Sequence, residues 1–303
     1  MQVKKKSVWR KMYKQRHLYI LLLPALIVTF LFNYCPMPGL IMAFEDFNIY
    51  DGLWGSEWVG LENIKKIWLR EEVLKSVGNT LYLSFLGLLI NFPAPIILAL
   101  LINEIKNMKF KKVVQTTSYL PHFLSTISIV GIVQLLFSKE GLFNDLRMAL
   151  GASERIGFLG VQEYFVPFIV GTSLWQGVGW GTIVHLANLS SIDPTLYEAA
   201  EVDGAKHLQK LWYITLPHMI PTVIILLIFQ MGNLFSSNFE LVYGLQNPFI
   251  EFEVISTIIY KLGLQSGDYS MSTAVGFVQG LIALLLVATA NKISKWVTGS
   301  GLW

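Results

Sequence analysis

Six long apolar runs decide what this chain can fold into. They cover residues 18 to 42, 79 to 103, 113 to 138, 164 to 188, 216 to 237 and 270 to 291, and none contains an Asp, Glu, Lys or Arg. A helix crosses a bilayer with about 20 mostly apolar residues, so every run is long enough to span. A soluble fold of 303 residues would have to bury all six, yet 53% of the chain is hydrophobic, only 14% is charged and the mean hydropathy is +0.53. That balance supplies too little charge to coat a globule. The reading is therefore an all-α polytopic membrane protein with six transmembrane helices, each pairing its own backbone groups because lipid pairs none. The first run continues through Ile41 and Met42 without a small-residue cleavage site, which makes it a retained helix and not a removable signal.

Charge placement gives the orientation. With the amino terminus inside, 15 of the 23 Lys and Arg fall on that side but only 5 of the 20 Asp and Glu. Both termini are then expected in the cytoplasm of a plasma-membrane protein, with a basic tail over 1–17, a membrane domain over 18–292 and a second tail over 293–303. The net charge of +3 is an orientation signal. The run KKKSVWRKMYKQRH lies against the first span, where anionic headgroups hold it, and calls for no nucleic-acid partner. Cys35, the single cysteine, is read as a small packing residue, since it can form no intrachain disulfide. The outer stretches 43–78, 139–163 and 238–269 are too short for independent cores. The first holds Trp54, Trp58 and Trp68, and a surface helix from Leu61 to Leu69 is expected there with Ile64, Ile67 and Trp68 on one face.

The loop 193–217 departs from this apolar pattern. It is polar and helical: Asp193 suits an N-cap, Pro194 the first helical position, and Glu198 and Glu201 the positive end of the helix dipole. Gly204 permits a bend or the close approach of another surface. A second piece follows from Ala205, with Lys206 and Lys210 on one side and Leu208, Leu211 and Trp212 as an apolar stripe. Pro217 and Pro221 open the next span, where their missing N–H groups cost little.

Glu198, Ala199, Ala200, Gly204, Ile214, Leu216 and Pro217 stand at the spacing E-A-A-x3-G-x9-I-x-L-P. This resembles the EAA loop of permeases in binding-protein-dependent ABC importers. WVGLENIKKIW followed by VGNTLYLSFLGLLINFPAPIILALLIN resembles the sugar-type members. RHLYILLLPALIVTFLFNYCPMPGLIMAFEDFN, IDPTLYEAAEVDGA and ALLLVATANKISK look like the lipoprotein-linked polysaccharide permeases of Gram-positive bacteria. The resemblance covers residues 60 to 292 and holds at every motif position. It implies the type I importer permease fold and a complex with a second homologous permease, two copies of a cytoplasmic ATPase and a lipid-anchored extracellular solute-binding protein. Glu198, Ala199, Ala200, Asp203, Gly204, Ala205, Ile214, Leu216 and Pro217 are then the segment that couples to the ATPase. The chain has no G-x4-G-K-[ST] phosphate loop. No catalytic residue, metal or bound cofactor is expected in it, and ATP and Mg belong to the partner.

Substrate chemistry is read from what the spans contain. Ion-coupled symport needs an ionisable group at membrane depth, and only His185 and His218, both near the cytoplasmic ends and read as structural, are weighed for it. Neutral polar and aromatic groups are plentiful instead: Gln134, Trp175, Gln176, Trp180, Asn188, Gln230, Asn233, Asn238, Tyr243 and Gln279. Amides and hydroxyls with aromatic faces suit an uncharged or weakly charged polyol such as an oligosaccharide. The alternatives are a permease of the same architecture for peptides, amino acids or phosphate, and an ion-driven symporter. Gly171, Gly177, Gly179 and Gly181 in the fourth span serve either close helix packing or a substrate gap.

Overall fold

The computed structural model describes residues 13–235 and 238–298. The basic run KKKSVWRK, expected at the membrane surface, lies outside them. Helix α1 (Arg16–Thr29) passes into a wide π-type turn (Phe30–Tyr34) and a tight 3-10 stretch (Met37–Phe44). The change of winding falls where Pro36 and Pro38 remove two backbone donors. No residue of α1 is buried. Cys35 is exposed, so the packing role expected for it is not met within this chain.

Two-residue strands, Glu45–Asp46 and Glu57–Trp58, pair antiparallel and clip the loop between them. Helix α2 (Glu62–Ile67) follows, shorter than expected. Its inner face is Asn63 and Ile67, while Trp68 is 68% exposed, so that indole does not share the face expected of it. Asn63 is inside because its amide donates to the carbonyls of Ala43 and Glu45, at 3.3 and 2.9 Å.

Helix α3 (Glu71–Leu86), a π-type turn (Gly87–Asn91) and α4 (Pro93–Glu104) form the second span. The third expected span is not one helix. Helix α5 (Met108–Tyr119) stops in a 3-10 turn at Leu120–Phe123, and α6 (Thr126–Phe137) starts afresh. Pro121 cannot donate and its ring crowds the preceding turn, while Ser125 restarts the helix by accepting the N–H of Ser128 at 3.2 Å. Helix α7 (Leu142–Ala149) and then α8 (Gln162–Ser190) follow. Beyond the polar loop come α11 (Leu216–Gly232), the short helices α12 (Phe239–Leu245) and α13 (Ile255–Tyr260), and α14 (Tyr269–Thr298). The loop itself holds α9 (Pro194–Val202) and α10 (His207–Lys210).

Five helical stretches among the described residues are long and apolar enough to cross a membrane: Arg16–Phe44, Glu71–Glu104, Thr126–Ala149, His207–Gly232 and Tyr269–Trp296. The remaining expected span, the fourth at residues 164 to 188, coincides with α8. At 1.5 Å per residue its 29 residues reach about 43 Å, so length is not what sets it apart. Four glycines, Gln176, Trp175 and Trp180 dilute its apolarity.

Those glycines explain why α8 is the hub. A Cβ on Gly179 would lie 1.9 Å from the Ser118 carbonyl oxygen, and one on Gly181 would lie 2.8 Å from the Pro95 ring. Both are close-packing sites for α5 and α4. Gly171 and Gly177 have nothing within 4 Å of the same position. Three apolar clusters hold the fold. One joins α6, the N-terminal half of α8 and α12 through Ile129, Ile169 and Leu241. A second joins α13 and α14 to Val73 and Ile67 through Ile258 and Met271. The third packs Ala99, Leu189, Ile192 and Met219 at the root of the polar loop.

Candidate functional site

The polar loop is a rigid hook, and its sequence says why. The Asp193 carboxylate accepts the N–H of Thr195 at 3.0 Å, so α9 begins at Pro194. The same bond holds the Asp193 carboxyl below its usual range. At the other end the N–H of Ala205 reaches Ala200 O at 2.9 Å and the N–H of Gly204 reaches Glu201 O at 3.0 Å. This paired closure requires a left-handed residue, and Gly204 supplies it with φ +78°. Bend and glycine therefore coincide, as the sequence reading expects.

Two side-chain contacts fold the second piece back on the first. Lys210 Nζ meets Glu201 Oε1 at 2.6 Å, and this hydrogen bond, with the lysine charge behind it, keeps the Glu201 carboxyl below its usual range. The hydroxyls of Tyr197 and Thr215 meet at 2.9 Å. Lys206 does not join Lys210 on that contact; its backbone N–H donates to Gln209 Oε1 instead, at 2.6 Å. The second helical piece is only the four residues of α10, and a π-type turn over Leu211–Thr215 carries the chain into α11. Of the expected coupling residues, Glu198, Ala199, Asp203, Gly204 and Pro217 are exposed, Ala200, Ala205, Ile214 and Leu216 are half-buried, and Ile214 packs toward the third apolar cluster. Around them Val202 is 88% exposed and Tyr213 80%, with Leu208 and Trp212 also open. Apolar side chains this exposed on a polar, well-fixed loop mark a contact surface.

The substrate-path candidates do not converge on one site. Gln230, Asn233 and Asn238 come together in a polar cavity of about 120 Å³ with Ser84, Asn91 and Ser173. Asn238 is also the N-cap of α12, accepting the N–H of Leu241 at 3.1 Å. Tyr243 lies outside this cavity, in a larger polar one shared with Asn247 and Lys261. Trp175 borders a third, apolar cavity of about 620 Å³ with Phe143, Phe158 and Phe168. Gln134 spends its amide on Gly244 O at 3.0 Å, and Gln279 on Phe235 O at 2.8 Å. Gln176 reaches Leu124 O at 3.5 Å, at the break in the third span. Trp180 stacks on His122 with ring centroids 4.5 Å apart.

His122 is a residue that sequence reasoning misses, since attention falls on His185 and His218. Neither of those lines the polar cavity. His185 is buried in α8, and His218 Nδ1 is 2.7 Å from Ile214 O. Ser84 and Asn91 are missed as well, although their spacing of two helical turns puts them on one face. Asn91 Oδ1 and Asn188 Oδ1 are buried without a hydrogen-bond partner among the described residues.

A family model described as "Binding-protein-dependent transport system inner membrane component" matches residues 91–298. A polygalacturonan/rhamnogalacturonan transport system permease protein of Bacillus subtilis is 40% identical over 99% of this chain and 94% of its own length. Protein LplB of the same organism is 40% identical over 96% of this chain and 92% of its own. Among solved structures, a bacterial ABC transporter involved in the import of the acidic polysaccharide alginate matches 97% of this chain and 100% of its own, at TM-score 0.87 and 38% identity. A bacterial alginate ABC transporter in complex with an alginate pentasaccharide-bound periplasmic protein matches at TM-score 0.88 and 37% identity, covering 98% of this chain and 100% of that one.

Proposed function

The chain belongs to the binding-protein-dependent transport system inner membrane components, and from that membership we infer that it is the permease subunit of an ATP-driven importer of oligosaccharides. Its relatives include a polygalacturonan/rhamnogalacturonan transport permease and an alginate-importing ABC transporter, and the cavity between α3, α8 and α11 offers neutral amide and hydroxyl groups of the kind a sugar's hydroxyls pair with. In this reading a lipid-anchored binding protein delivers the sugar outside, a second permease completes the path, and two ATPase subunits bind ATP and Mg in the cytoplasm. The six-span topology with both termini inside belongs to the same proposal.

The observation that carries it is the hook. A helix stopped by a left-handed glycine, clamped by Lys210 and Glu201, presents Val202, Leu208, Trp212 and Tyr213 to solvent. A cleft in the ATPase takes up this surface, and its closure pulls on Ile214 and Leu216 and so on the start of α11. Since the driving step is nucleotide binding in another subunit, this chain contributes positioning and no catalytic group. The test is Gly204→Asp in the complete complex. Uptake is lost and the ATPase no longer copurifies, while membrane insertion persists; normal uptake with normal copurification overturns the docking role.

A further inference from the structure

The geometry points to a second carbohydrate site on this chain, an outer subsite at Lys261 that receives the carboxylate of a sugar acid. It deepens the oligosaccharide reading and rests on it. The site is a cavity of about 440 Å³ between α12, the start of the outer loop and the turn after α13. That volume falls in the usual range for small-ligand pockets, roughly 300–1,000 Å³. Tyr243, Gln246, Asn247, Glu253, Lys261 and Gln265 supply its polar wall. It is separate from the cavity at Gln230 and Asn233, with which it shares no lining residue.

Its walls are held by bonds that leave the chemistry facing a ligand unspent. The Gln246 amide donates to Phe252 O at 2.6 Å and that of Asn247 to Leu159 O at 2.7 Å, which fixes one side. Glu253 is already used twice, accepting from the Thr257 hydroxyl at 2.6 Å and from Lys261. The carboxylate is therefore an anchor that places the ammonium, and Lys261 keeps two of its three N–H donors unassigned among the described residues. Tyr243 Oη accepts from Gln265 Nε2 at 3.1 Å, so its own proton remains to be given. The phenol is itself braced by the rings of Phe239 and Tyr260, at 5.2 and 5.0 Å.

The groups left to a ligand thus comprise two N–H donors of the Lys261 ammonium, whose third is given to Glu253, and a phenol O–H, with the amide oxygens of Gln246 and Gln265 as acceptors among the described residues. A neutral sugar ring can satisfy the amides and the phenol. Glu253 already pairs with the ammonium, whose two remaining donors can close on one further carboxylate, so a carboxylate on a hydroxyl-rich ring supplies partners for the lysine, the phenol and the amides together. The polygalacturonan relative and the acidic alginate of the structural relatives are consistent with that ligand class.

The experiment uses the full complex in nanodiscs, without the binding protein, and reads direct binding of trigalacturonate and of its fully methyl-esterified, neutral form by saturation-transfer NMR. Wild type binds the acid, and the ester about tenfold more weakly, the scale expected for losing one hydrogen bond to a charged group. Lys261→Gln loses the same factor toward the acid and nothing toward the ester, Tyr243→Phe weakens both, and Lys261→Arg restores the acid. Equal binding of acid and ester by wild type, or unchanged acid binding by Lys261→Gln, overturns the subsite. Parallel uptake assays in proteoliposomes with the binding protein separate the two levels. If wild type takes up oligosaccharide while the binding arm fails, the subsite alone falls; if wild type takes up no oligosaccharide, the importer reading falls and the subsite with it.

Discussion

Gly204 shows how a single residue can be necessary for two reasons that an experiment can separate. Its φ of +78° is a backbone requirement, and its missing side chain leaves the bend open. An L-residue held left-handed costs about 1–2 kcal/mol, so Gly204→Ala is expected to loosen the hook by that amount and to lower uptake without abolishing it. Gly204→Asp adds a charge where the partner must approach and removes uptake; matched losses in the two variants would show that only the backbone matters. In the polar cavity, Asn233→Ala is expected to change substrate-stimulated ATPase activity of the reconstituted complex, and an unchanged response removes Asn233 from the sugar path. Trp175 is a different case, because the residue expected beside a sugar borders an apolar cavity. The helix start at Asp193 and the bend at Gly204 were legible because each has a local backbone reason. The path residues were not, because whether an Asn or Gln meets a ligand or a carbonyl depends on contacts 44 to 110 residues away, as for Gln279 and Gln134.

Elements carry a second set of expectations. Helix α5 approaches α8 so closely at Gly179 that a Cβ would overlap the Ser118 backbone, whereas Gly177, two residues earlier, has open space. Gly179→Ala is therefore expected to destabilise by about 1–3 kcal/mol, the usual cost of overpacking, and Gly177→Ala to be near neutral or slightly stabilising. Thermal unfolding of the purified complex measures both, and equal midpoints would contradict the packing role. The hook also has a pH signature. Lys210 holds the Glu201 carboxyl below its ordinary value, so the folded hook binds fewer protons than the unfolded chain there. That stabilisation is complete above the ordinary carboxylate pKa of about 4.3 and is lost as pH falls through the lowered value. Amide protection of Ala205, corrected for intrinsic exchange, should fall across that interval in wild type and not in Lys210→Met. Helix existence was readable from the apolar runs, yet the break at Pro121 was not, because the Thr and Ser residues around it are uncharged and leave the charge-free run unbroken. The shortened α2 hides in the same way, since Asn63 turns inward only when Ala43 and Glu45 stand above it.

For the whole molecule, the family match over residues 91–298 makes the chain a membrane component of a binding-protein-dependent transport system, and the proposal that it is driven from outside this chain accords with expected spans that hold no acidic or basic side chain. The apolar surface that α1 leaves uncovered fits a chain built to be one part of a larger assembly. The account depends on where the hook lies and what holds it, and that is open to one direct measurement. In a Cys35→Ser background, a single cysteine at position 202, whose valine is 88% exposed, is tested in membranes of cells making the full complex. The account predicts that it resists impermeant thiol reagents added to intact cells, reacts once the cells are opened, and crosslinks to the ATP-hydrolysing subunit in a nucleotide-dependent way. Labelling from outside intact cells, or no crosslink to that subunit in any nucleotide state, would contradict it.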